Sequence, residues 1–120
     1  MSVIDNAALQ KVIGQDEELL ADLAVMFVQF LPDVEGRLRV GLENRDCTLI
    51  ESVFHQLRSR VSYFGATKIQ GFAKTIEERA RDSDLDGIDH DCQQIMQDID
   101  EMISELRTLT RLPLEKCQEE

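Results

Sequence analysis

Glycine and proline are scarce in this chain, 6 and 2 among 120 residues. No stretch alternates apolar and polar side chains as a half-buried strand does, so a fold built from strands and tight turns is excluded. Cysteine is also sparse. Cys47, Cys92 and Cys117 are odd in number, far apart and outside any C-x-x-C pattern, which argues against a disulfide framework or a zinc site and reads as reduced thiols. No apolar run approaches the length that crosses a bilayer. The first residues, MSVIDNAALQ, hold neither a basic patch nor a hydrophobic signal core, so a cytoplasmic protein is expected and a membrane partner is not. Positive charge is in deficit: 13 Lys and Arg face 24 Asp and Glu, for a net charge of -11. Such a field repels phosphate backbones, and nucleic acid is not expected as a partner.

What the chain does contain is apolar residues recurring at three and four, and a length that suits one domain, residues 1–120, with a core that needs no staples. Five segments emerge. Asp5 caps a short helix over about 5–13 that Gly14 ends. Asp16 caps the next, whose apolar stripe is read as Leu19, Leu20, Leu23, Met26, Phe27, Phe30 and Leu31. Pro32 then kinks or breaks it; Val34, Leu38 and Leu42 continue at four-residue spacing, and one long bent helix is favoured over two in sequence. Asp46 starts a third segment that Gly65 ends. Ile69, Phe72, Ala73, Ile76 and Ala80 mark a fourth, and Ile88, Ile95, Ile99, Met102, Ile103 and Leu106 a fifth, from about Ile88 to Thr110. The expected fold is all-α: an up-and-down antiparallel four-helix bundle over about 16–110, with a short additional N-terminal helix and a frayed tail over 111–120. Met26, Met96 and Met102 fall on core stripes and call for no cofactor.

Against the acidic whole stands a basic island. From His55 to Arg81 there are six Lys or Arg and two acids, a balance suited to something negative. Within it lies FHQLRSRVSYFGA, Phe54 to Ala66. At about 100° per residue, Ile50, Val53, Phe54, Leu57, Val61 and Phe64 share one face. His55 falls roughly opposite, near Ser52, Ser59 and Ser62, with Arg58 about a sixth of a turn away. The imidazole is therefore expected to be exposed, flanked by short side chains that leave room for a large partner. A neutral imidazole offers a nucleophilic ring nitrogen, and a neighbouring guanidinium offers planar donors for phosphoryl oxygens. Together they suit a phosphoryl carrier; a solvated surface histidine is the bland alternative.

HQLRSRVSYFGA also resembles the motif H-x-L-[KR]-[GS]-x5-G-A of histidine-containing phosphotransfer (HPt) domains, through His55, Leu57, Arg58, Ser59, Gly65 and Ala66. The later IEE, Ile76 to Glu78, resembles the family's Leu-Glu on the next helix, and LADLAVMFVQFLPDVEGRLRVGLENRD resembles its preceding helix and turn. The resemblance spans about Asp5 to Leu109. It departs at three positions: Ser59 replaces the commoner glycine, Arg58 the commoner lysine, and Arg60 a usually small residue. Arg60 lies at the edge of the core stripe and is expected to snorkel outward. The resemblance implies a phosphorelay carrier that accepts a phosphoryl group on His55 and passes it to aspartates of receiver domains. Arg58 would stabilise the transferred group, and Ser52, Ser59, Arg60 and Ser62 would form the docking face. It implies response-regulator receivers or a hybrid sensor histidine kinase as partners, magnesium on the receiver and no cofactor on this chain. It also implies no ATP-dependent kinase activity, in keeping with the lack of a phosphate-cradling glycine loop. A monomer is expected. A docking module of the same fold, with His55 unused, is the competing function.

Two other stretches imitate sites. DSDLDGIDHDCQ, Asp82 to Gln93, places Asp82, Asp84 and Asp86 at alternate positions before Gly87 like a calcium loop. It lacks the glutamate at the twelfth position and has Asp89 where an apolar residue belongs, so a turn rich in capping aspartates is the better reading. His90 and Cys92 are two ligands only, and no metal site is expected.

Overall fold

The computed structural model describes residues 3–114. It contains α1 (Asn6–Ile13), α2 (Glu17–Glu43), α3 (Cys47–Val61), a single 3-10 turn (Ser62–Phe64), α4 (Thr67–Arg81) and α5 (Ile88–Thr110). No strand occurs among the described residues. Aspartates set three of the starts. The Asp5 carboxylate accepts from the Ala7 and Ala8 N–H groups, Asp16 from Leu19 and Asp46 from Leu49, each satisfying donors that the first helical turn leaves unpaired.

α2 runs unbroken through Pro32 for 27 residues, so the single long helix is the one observed. Its buried face is Leu20, Ala24, Phe27, Val28, Leu31, Val34, Leu38 and Gly41. That corrects the expected stripe, since Leu19 and Met26 are exposed, Met26 by 55%. The first half of α2 carries more apolar surface than the bundle covers. Leu20, Ala24, Phe27 and Leu31 recur at four and three and take the core, while Leu19, Leu23, Met26 and Phe30 follow the same rhythm one residue earlier. The second row is thus rotated by about 100° and lies at the edge or outside.

α2 packs on α3 and α5, and α4 packs on α3 and α5, so the four long helices form a closed ring of neighbours. The face of α3 expected to be buried is buried: Ile50, Val53, Phe54 and Leu57 are fully enclosed, as is Val61. Each such side chain contributes about 1.5–3 kcal/mol of hydrophobic stabilisation. Gly41 lets α2 and α3 approach closely, since a Cβ there would stand 3.0 Å from Ile50 Cγ1. Phe27 meets Phe64 edge to face, with ring centroids 5.5 Å apart.

α1 closes one end. It packs on the 3-10 turn and on α2, and the Asp5 N–H donates to the Gly65 carbonyl at 3.0 Å. Gly65 is left-handed (φ 66°), and a Cβ there would lie 2.5 Å from the Leu9 nitrogen and 2.7 Å from the Asp5 carbonyl oxygen. No other residue fits both the turn and the contact. Val3 and Ile4 donate their N–H groups to the Glu105 carboxylate of α5.

The chain after α5 also differs from expectation. Leu114 is buried, and Arg107 donates to its carbonyl, so the segment through Leu114 returns to the core instead of fraying. Residues 115–120, including Cys117, lie outside the described residues.

Candidate functional site

His55 stands on the outer face of α3, its side chain 63% exposed, as its place on the helical wheel requires. Opposite the apolar stripe it would be one more solvated histidine, except for what α4 brings beneath it. Glu77 follows Ala73 by one turn on the face of α4 that packs against α3, and it is 2% exposed, the one buried charged residue among the described residues. Its Oε2 lies 3.0 Å from His55 Nδ1. Arg58 Nε donates to Glu77 Oε1 at 2.9 Å, and Arg58 Nη2 to Oε2 at 3.4 Å. Arg81, one turn further along α4, donates through Nη2 to Oε2 at 3.2 Å and through Nε to Glu51 at 2.7 Å. Glu51 also holds the Arg81 guanidinium above its ordinary pKa, by this hydrogen bond first.

A buried carboxylate is costly unless its acceptor positions are filled. Two arginines and an imidazole fill those of Glu77, and this settles the histidine tautomer. Arg58 Nη2 is 3.2 Å from His55 Nδ1, so that nitrogen could in principle accept from Arg58 instead. An unprotonated Nδ1 would then face a carboxylate oxygen at 3.0 Å, lone pair against lone pair. The Nδ1–H tautomer, donating to Glu77, removes that repulsion. In the neutral ring Nε2 then carries the lone pair, on the side away from Glu77.

His55, Arg58, Arg81 and Glu77 share a shallow depression of about 450 Å³ with Thr48, Glu51 and Ser52. Of the residues expected to form the docking face, Ser52 lines this depression, and its hydroxyl accepts from Arg37 Nη2 at 3.3 Å. Arg37 also donates to Gln56 at 2.8 Å, tying α2 to the histidine's own helix. Ser59 is exposed, and the Ser62 hydroxyl donates to the Ser59 carbonyl. Arg60 is half-buried, and its guanidinium lies over the Phe30 ring of α2, 3.9 Å from the centroid. With exposed Met26 and Tyr63 it borders a small apolar hollow beside the serines. Leu57, Gly65 and Ala66, the structural part of the motif, are buried.

Glu77, Arg81, Glu51 and Arg37 also join the site, Glu77 expected only as part of the family's Leu-Glu and the other three not expected there. The signal for Glu77 was present, since it continues the apolar series Ile69, Ala73, Ile76 and Ala80 on the buried face of α4; an acid on a core stripe needs a partner.

The aspartate-rich connection is otherwise employed. Arg79 donates to Asp91 at 2.6 Å, to Asp84 at 3.4 Å and to the Asp86 carbonyl. Asp89 accepts from Arg45 at 2.9 Å. The Asp86 N–H and then Arg79 hold the Asp84 carboxyl below its usual range. No group of three or more His, Cys, Asp or Glu among the described residues is arranged to hold a metal ion.

The family model for the Hpt domain matches residues 22–109, and the chain belongs to that family. No curated protein and no solved structure matches it significantly.

Proposed function

We propose that this chain is a phosphorelay carrier of two-component signalling, accepting a phosphoryl group on His55 and donating it to receiver aspartates. The observation that carries the reading is the His55–Glu77 contact at 3.0 Å, which directs one ring nitrogen inward as a donor and leaves the other as a nucleophile. Nε2 attacks the phosphorus of a receiver aspartyl phosphate. The N–P bond forms, the O–P bond breaks, and the aspartate carboxylate leaves with the electron pair. The proton stays on Nδ1, where Glu77 offsets the positive charge that the phosphorylated ring acquires. Arg58 binds the transferred phosphoryl oxygens. Reverse transfer retraces the same steps.

Hpt domains are carriers and not kinases, and this reading assigns the chain no ATP site and no cofactor of its own, with magnesium on the receiver. The partners are receiver domains, free or within a hybrid sensor histidine kinase. Exposed Ser59, half-buried Ser52 and Ser62, and the apolar hollow at Met26 and Tyr63 supply the docking face. The same reading takes α2 to α5 as an up-and-down antiparallel bundle and the protein as a cytoplasmic monomer. No helix among the described residues is long and apolar enough to cross a membrane.

The test is transfer from receivers charged with labelled acetyl phosphate. The expected product is an acid-labile, alkali-stable phosphoramidate on the wild type and none on His55→Gln. Label on His55→Gln would move the site elsewhere, and no label from any cognate receiver would favour a docking module.

A further inference from the structure

We infer that Arg81 is a second phosphoryl-binding arginine, parked on Glu51 while His55 is free and handed over to the phosphoryl group when His55 carries one. The inference rests on His55 being the phosphoacceptor, and it assigns Glu51 as the residue that sets the hand-over.

Arg58 and Arg81 are bound differently. Arg58 is 30% exposed and holds Glu77 through two nitrogens, whereas Arg81 is 57% exposed and touches Glu77 through Nη2 alone. The shortest contact of Arg81, at 2.7 Å, is to Glu51. Glu51 lies four residues before His55 on the same helix, so the parking place and the phosphoacceptor are about one turn, roughly 6 Å, apart along α3. Arg81 Nη2 and His55 Nδ1 are bound to the same oxygen of Glu77, at 3.2 and 3.0 Å. A rotation of the exposed end of Arg81 therefore carries its guanidinium from Glu51 to the edge of the imidazole without unfolding anything.

Charge supplies the drive. Two arginines and two carboxylates, Arg58, Arg81, Glu51 and Glu77, balance one another while the histidine is neutral. A phosphoryl group brings roughly two negative charges and three strong acceptors into the same depression. Arg58 keeps its Nε on the buried Glu77, which it cannot leave without cost, and turns only its outer nitrogens to the phosphoryl group. Arg81 can leave Glu51, whose side chain is 30% exposed against 3% for Glu77 and which water then solvates. The cation that moves is the one whose present partner is cheapest to rehydrate.

The test uses the full chain with His90→Gln, so that His55 is the sole histidine, phosphorylated with phosphoramidate, which needs no receiver. In arginine-labelled protein, the Arg81 Nε–H resonance, assigned by its loss in Arg81→Lys, is expected to shift on phosphorylation from a carboxylate-bound to a phosphoryl-bound position. The phosphotransfer equilibrium with a receiver is the second readout. Arg81→Ala is expected to shift it roughly threefold to tenfold away from the phosphohistidine, and Glu51→Gln to shift it towards the phosphohistidine. The Glu51→Gln effect should vanish in the Arg81→Ala background, and Arg81→Lys should restore part of the loss. An Arg81 resonance that ignores phosphorylation, or a Glu51→Gln effect that persists without Arg81, overturns the inference. If phosphoramidate labels His55 and no receiver exchanges with it, the carrier role fails while the resonance still decides the hand-over.

Discussion

Arg58 on α3 and Arg79 on α4 are almost equally exposed, 30% and 28%, and both are held by carboxylates. Their surroundings differ in one respect. The partner of Arg58 is Glu77, its side chain 3% exposed, which also binds a histidine with one ring nitrogen still to spend. The partners of Arg79 are Asp84 and Asp91, 50% and 25% exposed, together with a backbone carbonyl. In the function proposed above the first cluster orients a nucleophile, whereas the second fastens a turn. Similar residues at similar distances thus surround a buried acid and a histidine in one place and stitch a connection in the other, and the difference lies in the burial of the acid and the chemistry of the third partner.

The contrast is broken most strongly by bulk. Ser59→Trp stands one turn from His55, about 5–6 Å away between Cβ atoms, where a receiver approaches under the proposed function. Transfer and receiver binding should be nearly abolished while helical circular dichroism and melting temperature hold, since Ser59 is exposed. The same insertion at exposed Asp86, in the α4–α5 connection, should leave transfer unchanged. Loss of transfer in both variants would mean that the receiver covers far more of the molecule than the histidine face.

Charge deletion sharpens the comparison further. Arg58→Ala is expected to slow transfer by roughly tenfold to a hundredfold, for about 1.5–3 kcal/mol of lost charge-assisted contact. It should also lower stability by about 1–3 kcal/mol, because it strips a donor from buried Glu77. Arg79→Ala should lower the melting temperature by a few degrees and leave the transfer rate alone. Stopped-flow transfer and thermal unfolding on the two variants separate the roles, and equal rates for both would dissolve the distinction.

Much of this was legible in the residues because local chemistry governs it. Asp5, Asp16 and Asp46 cap helices wherever they precede an apolar rhythm, and one wheel of α3 both buries Phe54 and exposes His55. What could not be read depends on neighbours distant in the chain. Whether Leu19 and Met26 or Ala24 and Val28 face inward is decided by how far α3 and α5 wrap α2, which the sequence of α2 does not state. Glu77 sits on the core stripe of α4, but which partners it meets depends on α3 placing Arg58 and His55 over it. Leu114 finds the core only because the chain turns at Arg111, left-handed at φ 60°.

The smallest expected effect lies beside the stitched turn. Burial, and then Asp89 and Asp91, push the Cys92 thiol from 9.0 up to about 12. Between those values the unfolded chain gives up a proton that the folded chain keeps, so stability falls as pH rises through that window. Urea unfolding at pH 8 and pH 10 should show a steeper loss for the wild type than for Cys92→Ala. Identical losses would mean that the thiol titrates normally in the folded protein.

Gly65 and Glu105 give α1 a standing of its own in the opening of the fold. The helix buries only Leu9 and Ile13 of its eight residues. Its remaining ties include the Asp5 contact to Gly65 and the two N–H groups given to Glu105, partners some 60 and 100 residues away in the chain. Few apolar contacts and distant partners place a segment at the low end of the opening hierarchy. Its amides should therefore exchange with deuterium through a separate, cheaper opening, well before those of Val53 to Leu57. That opening would uncover the left-handed turn on which the histidine's helix ends, and amide exchange at α1 would report how often that end of the bundle stands ajar.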